Sequence, residues 1–204
     1  MEELLLFFII ILIIFLVCNK LKRENEIQRI KSSIDNRIYI VRKLPDSQMA
    51  ADKLAEINRK ILQLISLLKE INDNKEGNDE YDKDKLSGIS KLIQNYNPDK
   101  LSETGLNARY TSYSVNKGES IYICLRNKET NQFIDDNIIM FVVIHELAHV
   151  MTKSIGHTKE FWDNMDYLLH KANEINIYEP HDYGDDPQKY CGITINSTPY
   201  DFKK

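Results

Sequence analysis

The chain opens on an unbroken apolar run, Leu4 to Cys18 (LLLFFIIILIIFLVC), with no polar position on any helical face. Fifteen helical residues span roughly 22 Å, against a bilayer core of about 30 Å. Leu21 and the long stems of Lys20, Lys22 and Arg23 can extend the span at one interface. No Lys or Arg precedes the run, and Val17-Cys18-Asn19 offers no small-x-small cleavage site. The pattern therefore predicts an uncleaved transmembrane anchor over residues 1–21, touching lipid through residues 4–18, rather than a signal peptide. Acidic residues before the run and basic ones after it predict a single-pass protein with its N-terminus outside. Residues 20–204 are then cytosolic, in a host or virion membrane.

A helical neck is predicted over residues 22–71, interrupted at Pro45. Ile27, Ile30, Ile34, Ile38 and Val41 recur at three- and four-residue steps. Beyond Pro45, with Asp46 or Ser47 as N-cap, Ala50, Leu54, Ile57, Ile61, Leu64, Leu68 and Ile71 alternate four and three steps. Such a stripe buries one face against another helix. It packs as a hairpin on itself or on the body, or it pairs two copies as a homodimeric stalk.

Residues 72–85 (NDNKEGNDEYDKDK) lose all apolar periodicity and read as an acidic linker, leaving residues 86–204 as the body. A short helix over Lys85 to Asn95 ends before Asn97-Pro98. Tyr110 to Val115 and Glu119 to Leu125 alternate as strands, joined in a hairpin by Asn116-Lys117-Gly118. The second of these, as an edge strand, would hold an extended peptide by strand addition, or it is purely structural. Asp135 and Asp136 can cap a helix through Ile138-Ile139-Met140-Phe141-Val142-Val143-Ile144, apolar enough to be buried.

Charge divides the chain in the same places. The total is −4, but residues 20–70 hold 12 Lys/Arg against 7 Asp/Glu, and residues 71–204 hold 15 against 22. An acidic body gives no reason to expect nucleic acid as a partner. Three Cys, at 18, 124 and 191, without a C-x-x-C, exclude a disulfide scaffold and a Cys-built zinc ribbon. Sparse and unpaired, they fit a reducing compartment, with Cys124 and Cys191 as buried small side chains.

The apolar helix ends in His145-Glu146-Leu147-Ala148-His149, an H-E-x-x-H. Two His four apart share one helix face and can share a metal, while Glu146, rotated about 100°, reaches a bound water. Burying these groups without a partner is costly, and one Zn²⁺ ion supplies it. A catalytic zinc takes three protein ligands and keeps a position open. The third is sought among His157, Glu160, His170, Glu174 and His181. His157 is favoured because Gly156 lets the chain turn back and Thr158 can cap a following helix carrying Phe161 and Trp162. Glu174 on that helix is the alternative.

These residues, His145-Glu-Leu-Ala-His149 … Gly156-His157-Thr-Lys-Glu-Phe161-Trp162, resemble the H-E-L-x-H … G-H-x-x-x-F pattern of WLM and SprT-like zinc peptidases. Within that group the chain is most similar to membrane-anchored WLM-like metallopeptidases of large DNA viruses. The resemblance covers about residues 96–200. It implies an α+β fold, a small zincin-like domain with a short antiparallel sheet and an active-site helix, here behind the transmembrane helix and helical neck. It further implies zinc on His145, His149 and His157, with Glu146 as catalytic acid/base. Relatives cleave DNA-bound or crosslinked proteins; this chain departs from them in lacking a Cys-rich zinc ribbon and a basic tail.

The expected activity is therefore that of a zinc metalloendopeptidase acting on a protein or peptide substrate, with Glu146 as general base toward a zinc-activated water. Tyr183, Tyr190 and His181 are candidates for stabilising the oxyanion. The rival expectation is a membrane-anchored structural or scaffold protein of a virion in which zinc only stiffens the fold. Glu146 discriminates, because a structural site has no use for an acid beside it.

Overall fold

The computed structural model describes residues 2–75 and 83–203, with the side chains of residues 2–3, 17–25 and 75 outside the description. The first helix, α1 (Glu2–Glu26), carries the apolar run, and Leu4 to Leu16 are all 44–63 % exposed. Among the described residues no helix is long and apolar enough to cross a membrane. The thirteen described apolar side chains cover about 20 Å of helix. The snorkelling residues invoked to lengthen the span, Lys20, Lys22 and Arg23, lie outside the described side chains.

The first half of the predicted neck is not helical. Residues 27–42 form a hairpin, β1 (Ile27–Lys31) and β2 (Ile38–Arg42), paired antiparallel from Ile27↔Arg42 to Lys31↔Ile38. The five branched residues meet a helical spacing, but Ile34 and Ile38 are exposed, so they do not share one buried face. Branched side chains favour the pleated strand. Asn36, at φ +61°, takes the left-handed conformation in the turn between them. Asp52 fixes that turn from outside by accepting from Ser32 Oγ (2.7 Å) and Ser33 N (2.8 Å).

The second half of the neck is helical, as α2 (Ser47–Lys75), yet it is no stalk. Ala50, Leu54, Ile57, Ile61, Leu64 and Leu68 are buried in one core with Val41, Leu92, Leu101, Ile144 and Leu168. The stripe that suggested a dimer interface is consumed by the chain's own packing. Of the predicted linker, residues 76–82 lie outside the described residues; the flanks continue α2 and begin α3 (Lys83–Asn95).

A short 3₁₀ turn at Pro98–Lys100 leads into β3 (Leu101–Glu103). The expected hairpin follows, β4 (Tyr113–Val115) against β5 (Ser120–Ile123), antiparallel. The sheet is mixed rather than purely antiparallel, in the order β1-β2-β3-β5-β4, because β3 pairs parallel with both β2 and β5. The segment expected at the edge, β5, is therefore internal, and the edge strands are β4 and β1. A buried ionic cluster ties the sheet to the start of α2. Arg126, fully buried, places Nη1 2.8 Å from Asp46 Oδ1 and its guanidinium 4.5 Å from the Phe133 ring centre. Glu103 Oε2 accepts from Arg42 N at 2.7 Å, while burial pushes its carboxyl above the usual range.

Helices α2 and α4 (Asp136–Met151) pack against this sheet, and α5 (Lys159–Glu174) packs against α4. Asp135 caps α4 by accepting from Asn137 N and Ile138 N, and Thr158 caps α5 by accepting from Phe161 N, both as expected. A small hairpin, β6 (Gln188–Tyr190) and β7 (Ile193–Ile195), closes the fold. A disulfide joins Cys124, just beyond β5, to Cys191 at the tip of this hairpin, 67 residues on. Two of the three cysteines are thus paired, which corrects the expectation of free thiols and removes its support for a reducing compartment.

Candidate metal centre

Helix α4 is apolar on nearly every face because it is packed from several sides; ten of its residues, Glu146 among them, are buried. His145 and His149 emerge one turn apart from its last turns. The chain then leaves the helix at Thr152 and turns at Gly156, whose φ of +84° is the left-handed region where a side chain would be strained. That turn returns His157 to the metal face. His157 Nε2 lies 3.1 Å from His149 Nε2 and 3.1 Å from His145 Nε2.

Three imidazole nitrogens converging on one point suit a cation. Tetrahedral zinc with Zn–N of about 2.0–2.1 Å would hold ligand nitrogens about 3.3 Å apart, close to the separation seen. Burial, with the neighbouring imidazoles adding to it, pushes the His145 pKa down to about 3. His149 is pushed down to about 4, again chiefly by burial. Both are neutral at pH 7, the state that ligates a metal. His145, His149 and His157 can therefore hold one ion.

The other candidates for third ligand are engaged elsewhere. Glu174 ends α5 and pairs with Lys171 at 2.6 Å. His170 stacks on Tyr200, with ring centres 4.1 Å apart, beside Asp166. His181 sits against Asp186. Glu160 accepts from Lys153 N (2.8 Å), Ser154 N (3.2 Å) and Ser154 Oγ (2.8 Å), so it braces the returning loop.

Phe161 forms the floor of the centre. Its ring, fully buried, lies 4.9, 4.4 and 4.7 Å from the imidazoles of His145, His149 and His157. Trp162 flanks His157 at 5.3 Å. From the opposite side Lys117, at the tip of the β4–β5 hairpin, inserts its ammonium under the end of α4. Nζ donates to the carbonyls of His149 (3.2 Å), Thr152 (2.9 Å) and Ser154 (2.8 Å). The hairpin can approach so closely because Gly118, at φ +108°, has no Cβ; one would meet Val150 Cγ1 at 2.9 Å.

Glu146 is buried and turned toward the sheet. Burial raises its pKa to about 7, opposed by the Ser114 backbone N–H and side chain, which hydrogen-bond the carboxylate. Ser114 lies in the edge strand β4, so that strand orients the acid. His145 and Glu146 line a cleft of about 380 Å³. Of the three oxyanion candidates, only Tyr190 lines this cleft, and its hydroxyl donates to Cys124 O at 2.9 Å and pairs with Ser112 Oγ at 2.7 Å. Tyr183 is buried against Phe141, ring centres 4.5 Å apart, and His181 does not line the cleft.

The bracing roles of Ser114, Lys117 and Glu160 are not legible in the sequence, where Lys117 figures only in the hairpin turn and Glu160 only as a candidate third ligand. No local motif marks them; each acts through a fold contact to a distant segment, apart from Glu160, three residues beyond His157.

The chain is similar to the uncharacterized protein R325 of Acanthamoeba polyphaga mimivirus, 35% identical over 192 residues covering 94% of this chain and 92% of that one. It is also similar to the uncharacterized protein 136R of Invertebrate iridescent virus 6, 31% identical over 47% of this chain and 53% of the relative. A crystal structure of Wss1 from Saccharomyces cerevisiae matches 37% of this chain and 59% of its own at 29% identity, with a TM-score of 0.34. The WLM domain model matches residues 93–195, which include all three imidazoles, Glu146 and the hairpin carrying Lys117, while β1, β2 and α2 lie outside the match. With the candidate ligands inside that match, the chain belongs to the WLM family, a zinc-associated and protease-like family.

Proposed function

We propose that the protein is a zinc-dependent metalloendopeptidase tethered to a membrane. The observation that carries this reading is the convergence of three imidazoles, 3.1 Å apart in successive pairs, beside a buried carboxylate that faces an open cleft. His145, His149 and His157 would hold the zinc. When bound, zinc lowers the pKa of a ligated water to about 7 and acts as a Lewis acid toward the scissile carbonyl. Glu146, oriented by Ser114, accepts the proton of the attacking water and delivers it to the leaving amine. Edge strand β4 leaves one side unpaired, available to an extended peptide. Phe161, Lys117 and Glu160 hold the ligand set in place without touching substrate.

The scaffold reading is weaker on the same residues. A closed structural zinc has four protein ligands, whereas three imidazoles and a cleft leave a position open. Glu146→Gln should retain one zinc per chain by elemental analysis and lose hydrolysis of a denatured protein substrate. Full activity in that variant would rule out the proposed role.

The exposed apolar length of α1 supports the tether: thirteen large apolar side chains in water are unfavourable, and lipid covers them. Its side of the membrane is contested by two features. The basic residues after the run favour a cytosolic body, and the Cys124–Cys191 disulfide favours an oxidising compartment. We propose the cytosolic placement, as the flanking charges direct; protection of the body from protease in sealed right-side-out vesicles supports it, and digestion from outside overturns it.

A further inference from the structure

The cleft beside His145 is more than an entrance to the metal. Its volume of about 380 Å³ falls within the range of small-ligand pockets, about 300–1,000 Å³. Three separate elements supply an apolar lining: Phe141 and Val142 from α4, Trp162 and Met165 from α5, Ile193 and Ile195 from β7. Among the described residues that line it there is no Lys, Arg or Asp, and the one carboxylate is Glu146. A charged side chain entering here would lose its water without gaining a counter-ion of its own, whereas an apolar one would cover apolar surface.

The wall is also built to keep its shape. Tyr190 ties the β6–β7 hairpin to Cys124 O and Ser112 Oγ, and the disulfide from Cys191 to Cys124 fastens the same hairpin covalently. Fixed in this way, Ile193 remains 51 % exposed and Trp162 39 %, so the rim presents apolar surface to an occupant of the cleft.

We propose that this cleft receives a bulky aliphatic or aromatic side chain of the substrate, adjacent to the scissile bond, and that Ile193 and Trp162 set this preference. The inference rests on the peptidase reading of the metal centre. It names the substrate class as polypeptide segments rich in large apolar residues, which are accessible in unfolded, partly unfolded or membrane-proximal protein.

The test uses the zinc-loaded full chain in detergent and a series of short peptide hydroxamates that differ in one side chain: Leu, Phe, Ala, Asp or Lys. The hydroxamate anchors each to the metal, so differences report the pocket. The Leu and Phe compounds should bind about tenfold or more tighter than Ala, as expected for a few buried methylenes, with Asp and Lys no better than Ala. Ile193→Asp, at a half-exposed strand position, should remove that advantage. Trp162→Ala is the second variant and should act in the same direction. In parallel, mass spectrometry of fragments from a denatured protein mixture should place large apolar residues next to the new termini. Equal affinities across the series, with cleavage at unrelated residues, would overturn the pocket and leave the peptidase standing. No hydroxamate binding and no cleavage would overturn both.

Discussion

Lys117→Met is the perturbation that most directly probes how the fold holds the metal site. It removes an ammonium that donates to three carbonyls, those of His149, Thr152 and Ser154, at 3.2, 2.9 and 2.8 Å. It keeps most of the aliphatic stem, so packing changes little. One charge-assisted hydrogen bond is worth about 1.5–3 kcal/mol when lost. A cation at a helix C-terminus adds about 0.3–1 kcal/mol. Because Lys117 is half-buried, water can reach part of what is vacated, and the three bonds do not sum. A loss of about 2 kcal/mol is the reasonable figure, or roughly 30-fold at about 1.4 kcal/mol per decade. The three carbonyls span the last turn of α4 and the loop that returns His157, so the loss falls on ligand geometry. Zinc affinity, measured by competition with a chromophoric chelator, should weaken by about 10–100-fold, the usual effect of removing a partner that orients ligands. The metal-free protein should melt about 4–8 °C lower for a chain of this size. Lys117→Arg should recover part of both. Zinc affinity within twofold of wild type, with or without a change in melting, would refute the idea that the hairpin clamps the ligand loop.

Three further outcomes are expected. Phe161→Ala should cost about 3–5 kcal/mol in denaturant unfolding, since the ring is fully buried beneath the imidazoles; a cost below about 1 kcal/mol would contradict its role as floor. The disulfide should appear as one Cys124–Cys191 peptide in non-reducing digests, and losing it should cost up to about 4 kcal/mol for a 67-residue separation; free thiols at both positions in protein purified without reductant would contradict the pairing. The metal-free protein should lose stability on acidification. His145 and His149 bind protons near 6.5 when unfolded but only near 3 and 4 when folded, so the unfolded state takes up more protons in between. Their contribution is complete above about pH 6.5 and is lost as pH falls toward about 4 for His149 and about 3 for His145. Replacing both by Asn should flatten that slope in thermal melts, and an unchanged slope would show that these imidazoles are not the groups responsible.

The candidate centre was legible because its residues are local. His145, Glu146 and His149 sit within five residues, Gly156-His157-Thr158 declares a turn and a cap, and Asn116-Lys117-Gly118 declares a hairpin. Each holds in the structure. What failed was nonlocal or ambiguous in period. Ile27, Ile30, Ile34, Ile38 and Val41 fit a helical spacing, yet Asn36 breaks the run in the left-handed region and the branched residues pair as β1 and β2. The stripe of α2 was correctly read as one apolar face, but periodicity says that a face is buried and not against what; here it is the sheet and α3. Strand β3 is three residues long and gains its place only by pairing parallel with β2 and β5, which no local pattern announces. Once β3 lies beside β5, β4 becomes the edge, and with it Ser114 becomes the residue that orients Glu146. The pairing of Cys124 with Cys191 is equally invisible, since spacing alone does not report connectivity.

The account stands on His145, His149 and His157 holding zinc for a reaction in which Glu146 moves the proton. The most direct measurement is mass spectrometry of cleavage products from the wild-type full chain and from Glu146→Gln, both with zinc content determined by elemental analysis. The account predicts one zinc per chain in each protein and new peptide termini from the wild type alone. One zinc in each with identical products, or with none from either, would contradict it.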